Sequence, residues 1–252
     1  MIRNYDEKSK EIFHFSQYKY GVSMSIVNGY GQRKTVSIVI PTLNEVKNIR
    51  YVFPFIPDYV DEVIVVDGGS LDGTVDEILR FRKDANILVE KSSGKGIAII
   101  YGFKKATSDL IVMMDADGSN DPKEIPKLLE PILDGYDVSI GSRLLKGGGS
   151  EDLTIFRKLG NDILVRLVNL LYDSNYSDLC YGFRAFKREA LEKIQLTSKG
   201  FEIETEQSIL IKKAGLKIKE VPSYEIRRKN GDSNLNSFRD GWKILNVILK
   251  NI

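Results

Sequence analysis

Two apolar segments that each end in aspartate and glycine constrain the fold more than any other feature of this sequence. "VIVVDGGSLDGT" spans residues 63–74, and "LIVMMDADGS" spans residues 110–119. In each of them, a run of apolar residues that is typical of a buried strand gives way to a polar turn. An acidic side chain at the mouth of such a strand either closes a turn or faces a ligand. The two segments therefore predict strands whose ends carry functional groups.

From residue 35 onward, apolar strand-like segments alternate with segments of helical spacing. This alternation is typical of a mostly parallel sheet with helices on both faces, so we predict an α/β fold. In such sheets, ligands bind beyond the carboxyl ends of the strands. The predicted strands span residues 35–45, 61–70, 86–93, 109–118, 136–143 and 217–228, and the predicted helices span residues 46–59, 72–84, 94–107, 122–135, 155–172 and 237 onward.

The composition argues against several kinds of site and partner. The chain has 252 residues, 37 of them basic and 35 acidic, and its formal net charge of +2 gives no reason to expect nucleic acid as a partner. Cys180 and His14 are its only cysteine and histidine, which argues against a disulfide, a zinc cluster and a serine–histidine–aspartate triad. No apolar run reaches the roughly 18 residues that span a bilayer, and the first residues lack the apolar core of a signal peptide. We therefore expect a cytoplasmic protein whose chemistry depends on carboxylates.

Asp115 and Asp117 follow the apolar run of the second segment. Side chains two positions apart in a strand point to the same face, so these carboxylates repel unless a cation lies between them or one is protonated. Mg²⁺ or Mn²⁺ takes one or two carboxylates and completes its shell with phosphate oxygens and water. The alternative is a solvated turn, because aspartate and glycine are ordinary turn residues. The position directly after a buried strand favours a metal site for a diphosphate.

Asp67 is the other carboxylate at the end of an apolar strand. It can accept hydrogen bonds from a ribose or a base, as the acidic residue of dinucleotide-binding folds does. Gly68 and Gly69 allow the backbone to come close to a ligand. The alternative is that this turn only caps the next helix, with Asp72 near the helix start. The two interpretations are compatible, with Asp72 structural and Asp67 functional.

Several basic residues stand where they can meet phosphates. Lys95 lies between two glycines at a helix start, without the spacing of a P-loop, and a plain helix start is the alternative. Guanidinium groups are favoured partners of phosphates because they bind two oxygens at once. The candidates are Arg143, Arg157, Arg227 and Arg228, although a solvated surface role is the default for any one arginine.

Seven motifs occur in the order found in family 2 glycosyltransferases. They are "SIVIPTLNE", "VIVVDGGSLDGT", "MMDADGSNDPKEIPKLL", "IGSR", "GFRAF", "GFEIETE" and "RKNGDSNL". The sequence most resembles the branch that transfers mannose or glucose to polyprenyl phosphates such as dolichol phosphate, over roughly residues 35–240. The resemblance implies the GT-A fold, which is the Rossmann-like fold of nucleotide-diphospho-sugar transferases. It also implies a UDP- or GDP-linked sugar donor and a polyprenyl phosphate acceptor.

The resemblance implies roles for individual residues. Pro41, Asn44, Glu45 and Asp67 match nucleotide-contacting positions, and we place Gly69, Lys95 and Ala116 in the donor site beside them. Asp115 and Asp117 match the pair that binds Mg²⁺ or Mn²⁺, Arg143 and Arg157 match arginines that bind the acceptor phosphate, and Arg228 and Ser233 belong to a loop that closes over the diphosphate. Ser119 stands where many dolichol-phosphate mannose synthases have a glutamine in the metal shell, which leaves that ligand open.

The acceptor determines which residues take part in the implied inverting transfer. A polyprenyl phosphate is already ionised, so arginines that position it are sufficient, whereas a hydroxyl of a soluble or glycan acceptor needs a carboxylate to take its proton. The three candidates for that base are Asp178, Glu204 and Glu206. The catalytic candidates are therefore Asp117, Arg143, Arg157, Asp178, Glu204 and Glu206, and the sequence leaves both acceptor classes open.

Two helices near the end of the chain bear apolar stripes beside basic residues. The stripe in 155–172 includes Ile155, Leu159, Ile163, Leu167 and Leu170, and the stripe near the end includes Trp242, Leu245, Ile248, Leu249 and Ile252. Such stripes usually pack in a core or a dimer, which is the favoured interpretation, but the composition also suits a bilayer interface. A homodimer and a peripheral contact with the cytoplasmic face of a membrane both stay open. We divide the chain into an N-terminal extension (1–34), a catalytic GT-A domain (35–236) and a C-terminal amphipathic helix (237–252).

Two other classes of protein share parts of this pattern. A nucleotidyltransferase also uses paired aspartates on a doubly wound sheet, but it normally has a G-x-G-T-R loop where "PTLNE" stands here. A non-catalytic module that binds nucleotide sugars would be favoured by the loss of an aspartate from the pair, and both aspartates are present.

Overall fold

A computed structural model describes residues 26–27, 32–92, 94–231 and 235–252 of the protein. His14 and Ser233 lie outside the described residues. The strands are β1 (Ile26–Val27), β2 (Arg33–Lys34), β3 (Val36–Thr42), β4 (Glu62–Asp67), β5 (Asn86–Val89), β6 (Leu110–Met113), β7 (Val138–Ser142), β8 (Gly149–Ser150), β9 (Arg184–Lys187), β10 (Ile218–Pro222) and β11 (Tyr224–Glu225). The α-helices are α1 (Val46–Ile49), α2 (Thr74–Phe81), α3 (Lys95–Lys105), α4 (Ile125–Leu133), α5 (Ile155–Tyr172), α6 (Arg188–Leu191), α7 (Ile203–Lys213) and α8 (Ser237–Lys250), and short 3₁₀ helices span Phe53–Phe55 and Pro122–Glu124.

A seven-stranded sheet organises the chain, in the order β10-β7-β9-β6-β3-β4-β5. All of its neighbouring strands run parallel except β9, which is antiparallel to both β6 and β7. The predicted α/β class with a mostly parallel sheet is therefore confirmed. The carboxyl ends of β3, β6 and β7 and the beginning of β9 lie at one edge of the sheet, because β9 is reversed.

Both faces of the sheet are buried, which explains why the central strands read as continuous apolar runs. In β3, Ile38 and Ile40 pack into the cluster that holds α1, α2 and α4, while Val39 packs on the opposite face with α3. Further along that opposite face, α5, α7 and α8 share one apolar cluster with β7. The helices of the second half of the chain are thus part of the core and position the loops above the sheet edge.

The structure corrects two predictions of secondary structure. The predicted helix over 46–59 is wrong, because only Val46–Ile49 is α-helical and a 3₁₀ turn at Phe53–Phe55 follows. Pro54 and Pro57 lack the amide hydrogen that a continuing helix needs. The predicted strand over 217–228 ends at Pro222 and is followed by the short strand β11, which pairs with β8. In the described part of the chain, no helix combines the length and apolar character needed to cross a bilayer.

Candidate active site

A large cleft of about 1460 Å³ opens at the edge of the sheet where β3, β6 and β7 end and β9 begins. It is lined by parts of the chain that are far apart in sequence, from the end of β3 to helix α8. The predicted site residues that line it are Pro41, Glu45, Lys95, Asp115, Ala116, Asp117, Arg143, Arg157, Glu204, Glu206 and Arg228. The structure therefore brings most of the predicted residues together around one space.

Lys95 links two carboxylates at the base of the cleft. Its ammonium nitrogen lies 2.7 Å from Asp115 Oδ1 and 2.8 Å from Glu204 Oε1. Burial disfavours the ammonium charge, but the two carboxylates outweigh it and raise the pKa of Lys95 above its usual range. The backbone of Gly182 passes beside the cluster, where a Cβ atom would lie 3.0 Å from Lys95 Nζ. Glycine at that position thus leaves room for the three side chains.

Arg228 holds the second carboxylate of the pair. Its Nη2 atom lies 2.8 Å from Asp117 Oδ2 and 3.3 Å from Glu45 Oε1. Burial alone would raise the pKa of Asp117, but Arg228 and hydrogen bonding from Ser119 outweigh burial and lower it. For Glu45, burial outweighs the hydrogen bond from Asn48 and the charge of Arg228, and it raises the pKa. Asp115 and Asp117 are therefore each paired with a different cation.

Glu206 secures the loop that covers the start of α3. It accepts hydrogen bonds from the backbone amides of Thr197 and Ser198 at 2.9 and 2.8 Å, and from the hydroxyl of Thr197 at 2.7 Å. The carbonyl groups of this loop then pack directly on Gly94 and Gly96, where a Cβ atom would overlap them. The two glycines that flank Lys95 therefore serve close packing, and Glu206 holds the loop that packs on them.

Arg143 lies in a buried network of ions. It donates to Asp178 through Nε at 2.7 Å and Nη2 at 2.9 Å, and through Nη1 to Glu225 at 3.2 Å. Asp178 is fully buried. The two carboxylates and the face of the Tyr181 ring, 5.0 Å away, hold the guanidinium in one orientation. Glu225 also belongs to this network, although no pattern in the sequence marks it as a site residue.

Arg157 differs from Arg143 in its surroundings. It stands in the first turn of α5, whose start is capped by Thr154. Its ion pair with Asp152 is 3.7 Å long, and its side chain is 27% exposed. Arg157 thus lines the cleft with a guanidinium that can turn toward an anion at little cost.

The residues around Asp67 mainly build a turn. The carboxylate of Asp67 accepts hydrogen bonds from the amides of Gly69 and Ser70, both at 2.9 Å. Asn44 adopts a positive φ of 54° and accepts a hydrogen bond from the amide of Leu71. The side chains of Asp67 and Asn44 therefore join the loops after β3 and β4, and their contact with a nucleoside stays a prediction. The structural role predicted for Asp72 agrees with its hydrogen bonds from the amides of Val46 and Thr74.

One buried arginine supports the floor of the cleft and was not selected from the sequence. Arg184 is fully buried and donates to the backbone carbonyls of Tyr181, Leu179 and Glu204 and to the hydroxyl of Ser208. Burial lowers its pKa from the usual value. The motif "GFRAF" contains this residue, but nothing in the motif distinguishes a structural arginine from one that binds a ligand.

Helices α5 and α8 form the outer wall of the cleft, and most of the predicted stripes are exposed. Ile155, Leu159, Ile163 and Leu170 on α5 and Trp242, Leu249 and Ile252 at the end of the chain are all exposed. Ile248 alone among the named stripe residues of the last helix is fully buried. The favoured prediction was packing in a core or a dimer. Core packing is wrong for these seven side chains, because a different side of each helix is buried, and dimer packing stays a prediction.

Comparison with known proteins gives consistent similarities. The family described as Glycosyl transferase family 2 matches residues 37–195. Glycosyltransferase AglJ of Haloferax volcanii is 37% identical over 218 residues, which are 82% of this chain and 68% of that protein. Dolichol-phosphate mannosyltransferase of Pyrococcus furiosus is 37% identical over 209 residues, which are 79% of this chain and 59% of that protein. The chain thus spans about two thirds or less of the length of these two relatives.

A solved structure gives the same fold. Glucosyl-3-phosphoglycerate synthase of Mycobacterium tuberculosis, in complex with Mn²⁺, UDP and glucosyl-3-phosphoglycerate, superposes with a TM-score of 0.68 at 21% identity. The alignment covers 86% of this chain and 80% of that one. At this identity the likeness carries the fold alone, and it confirms the predicted GT-A fold.

Proposed function

The chain belongs to glycosyl transferase family 2, and from that premise we propose that it transfers a hexose from a UDP- or GDP-linked donor to a polyprenyl phosphate. The transfer inverts the configuration at the sugar carbon. The acceptor phosphate oxygen attacks that carbon, the bond to the nucleoside diphosphate breaks, and the nucleoside diphosphate leaves with the electron pair. The products are a polyprenyl glycosyl phosphate and a nucleoside diphosphate.

The state of the three candidate bases is the observation that carries this proposal. Asp178 is held by Arg143, Glu204 is held by Lys95, and Glu206 accepts three hydrogen bonds from its own loop. Each of these carboxylates would have to give up its present contacts before it could take the proton of a sugar hydroxyl. A phosphate monoester has a second pKa of about 6 and therefore needs no base at neutral pH. The site fits an acceptor that arrives already ionised.

The paired aspartates suit a metal that binds together with the donor. In the part of the chain that the structure describes, no group of three or more histidine, cysteine, aspartate or glutamate side chains is placed to hold a metal. Two carboxylates are nevertheless sufficient for Mg²⁺ or Mn²⁺, since substrate phosphates and water complete the shell. Held by Asp115 and Asp117, the ion would supply positive charge to the departing diphosphate.

The cations of the cleft have separate tasks in this proposal. Lys95 and Arg228 pair with the two aspartates, so they lie close enough to contact the diphosphate of the donor. Arg157 lines another part of the same cleft, and we assign it to the acceptor phosphate. Arg143 keeps Asp178 and Glu225 in place, and it lines the cleft together with Glu225. An acceptor of this kind is a membrane lipid, so the enzyme must work at a bilayer surface.

The test is release of nucleoside diphosphate from a panel of UDP- and GDP-sugars. Each reaction contains Mg²⁺ or Mn²⁺ and is run with and without a short polyprenyl phosphate, using Asp117→Asn as the inactive control. We expect release that depends on both the metal and the lipid phosphate. Release stimulated by a soluble sugar or alcohol, and not by the lipid phosphate, would overturn the proposal and favour a hydroxyl acceptor.

A further inference from the structure

Helices α5 and α8 expose an unusual number of large apolar side chains. Of the seventeen large hydrophobic residues that are exposed in the described chain, ten lie on these helices or directly after α8. They are Ile155, Phe156, Leu159, Ile163, Leu170 and Leu171 on α5, and Phe238, Trp242, Leu249 and Ile252 on α8 and the residues that follow it. We call this set the α5–α8 face. Monomeric soluble proteins rarely expose large contiguous apolar patches, and such patches mark sites of contact with a protein or a membrane.

The two helices form one continuous surface. At their starts, the rings of Phe156 and Phe238 lie 5.5 Å apart. Toward their ends, the hydroxyl of Tyr172 donates a 2.6 Å hydrogen bond to the carbonyl of Ile248. The helices therefore run side by side in the same direction. Their inner sides meet in the core through Val168, Ile244 and Ile248, which leaves the apolar residues of the outer sides exposed.

The charge of these helices indicates what the partner is. Residues 155–172 and 237–252 contain six basic and two acidic residues, a net charge of +4, whereas the whole chain carries only +2. Lys158, Arg166 and Lys250 are exposed, while the acidic Asp240 is buried and holds Arg239 and Lys243 beside it. A second copy of the same face would bring +4 against +4. An apolar surface flanked by basic residues complements anionic lipid instead.

The face is continuous with the cleft. Phe156 and Arg157 of α5 and Lys243 and Lys250 of α8 line the same space as Asp115. A bilayer in contact with the outer sides of these helices would therefore meet the mouth of the cleft at the level of its headgroups. A lipid phosphate at that level could enter toward Arg157 while its hydrocarbon chain stays in the membrane.

We propose that the α5–α8 face lies in the interface of a bilayer that contains anionic lipids, with its apolar side chains among the acyl chains and its basic residues at the headgroups. The proposal deepens the proposed function and rests on it for the identity of the acceptor. The contact is peripheral, because each helix lies in the plane of the interface.

Trp242 gives a direct measurement, because it is the only tryptophan in the chain and is 73% exposed. Vesicles of phosphatidylcholine with phosphatidylglycerol should shift its fluorescence to the blue and sediment the protein, and vesicles of phosphatidylcholine alone should do so much more weakly. Raising the salt to about 0.5 M should weaken binding, since it screens the headgroup charge. Equal binding to both kinds of vesicle at all salt concentrations, or no binding to either, would overturn the proposal.

Two variants test which surface is responsible. Leu159→Ser with Ile163→Ser removes two exposed side chains that do not line the cleft, and it should weaken vesicle binding at least about 10-fold. Lys158→Glu with Arg166→Glu should weaken binding to anionic vesicles by a similar factor at low salt. Leu71→Ser is the matched control, because Leu71 is 96% exposed and lies between β4 and α2. Variants that bind vesicles as well as the control does would contradict the proposal. It would also be contradicted if sedimentation showed a dimer that Leu159→Ser with Ile163→Ser converts to a monomer while vesicle binding stays unchanged.

Activity on two acceptors separates this proposal from the proposed function. With a short water-soluble polyprenyl phosphate, Leu159→Ser with Ile163→Ser should keep the activity of the unmodified protein. With a long-chain phosphate embedded in anionic vesicles, it should lose most of it. If neither protein transfers sugar to either acceptor while vesicle binding follows the expected pattern, the proposed acceptor is wrong and the membrane contact stands. If the variant is as active as the unmodified protein on the embedded acceptor, the membrane contact is wrong.

Discussion

Arg228 Nη2 lies 2.8 Å from Asp117 Oδ2, although the two residues are 111 positions apart in the sequence. This ion pair joins the segment after β11 to the segment after β6, and both residues line the cleft. A cation thus already stands beside the carboxylate to which we assign a metal ion. In the proposed site, a metal ion at Asp117 would share this carboxylate with Arg228 or displace it.

Replacing Asp117 by asparagine tests the catalytic assignment. We expect transfer to fall by about 100-fold or more, the order seen when one electrostatic stabiliser of a transition state is removed. The melting temperature without ligand should change little, since Arg228 keeps its contact with Glu45. Transfer assays and thermal unfolding measure the two effects, with exposed Asp58→Asn as the control. A large fall in melting temperature would instead assign Asp117 to the stability of the fold.

Replacing the two arginines of the cleft by alanine should give opposite patterns. Arg143→Ala leaves fully buried Asp178 without its partner, so we expect the free energy of unfolding to fall by about 3–5 kcal/mol. Arg157→Ala removes a partly exposed side chain with a long ion pair, so stability should change by no more than about 0.5 kcal/mol. Arg157→Ala should instead raise the KM for the acceptor phosphate. Urea unfolding and steady-state kinetics separate the two, and equal losses of stability would contradict the difference in their surroundings.

Two glycines inside helices form a matched pair for packing. A Cβ atom at Gly102 of α3 would overlap Val39 Cγ1, whereas a Cβ atom at Gly160 of α5 would have no atom within 4 Å beyond its chain neighbours and the backbone of its own helix. Gly102→Ala should therefore destabilise the protein by about 1–3 kcal/mol through overpacking. Gly160→Ala should stabilise it by about 0.5–1 kcal/mol, because alanine is the better helix former. Urea unfolding of both variants decides the point, and a neutral Gly102→Ala would show that α3 can move away from the sheet.

Asp109 makes part of the stability depend on pH. The carboxylate of Asp109 accepts hydrogen bonds from the backbone amide and the hydroxyl of Thr35. These hydrogen bonds and the charges of Lys34 and Arg188 lower the pKa of Asp109, although partial burial acts in the opposite direction. A carboxyl group with a lowered folded pKa stabilises the fold above its unfolded pKa, about 3.9, and loses that contribution as the pH falls through the folded value. Asp109→Asn should therefore lower the urea midpoint at pH 7 but much less at pH 3.

Thr35→Val is the control for this prediction. It removes the hydroxyl donor and keeps the amide, so its pH-dependent effect should have the same sign and be smaller than that of Asp109→Asn. An Asp109→Asn effect of equal size at pH 3 and pH 7 would show that the hydrogen-bonded charge does not contribute.

The sequence was sufficient for the strands whose ends carry the site. The runs before Asp67 and Asp115 are apolar without interruption because both faces of β4 and β6 are buried, and this pattern depends only on neighbouring residues. The predicted helix over 155–172 has the observed bounds, because the spacing of its apolar residues is a local signal. Patterns that depend only on neighbouring residues can therefore be interpreted without knowledge of the complete fold.

The pairings of the site could not be predicted in the same way. Lys95 with Glu204, Arg143 with Glu225 and Arg228 with Asp117 join residues that only the complete sheet brings together. The motifs marked many of these residues but not their partners, so three carboxylates appeared equally available as bases. The side of α5 and α8 that packs inward was likewise decided by neighbours that are distant in the sequence.

The reversal of β9 has a consequence for how the chain leaves the ribosome. β9 fills the gap between β6 and β7, yet it is synthesised about forty residues after β7. Until it emerges, β6 lacks one of its two neighbours and β7 lacks both, since β10 is later still. Open apolar strand edges recruit other unfinished chains. The strand that follows the loop bearing Asp178 is thus also the one that joins β6 to β7, while the outer edge of β7 stays open until β10 is made.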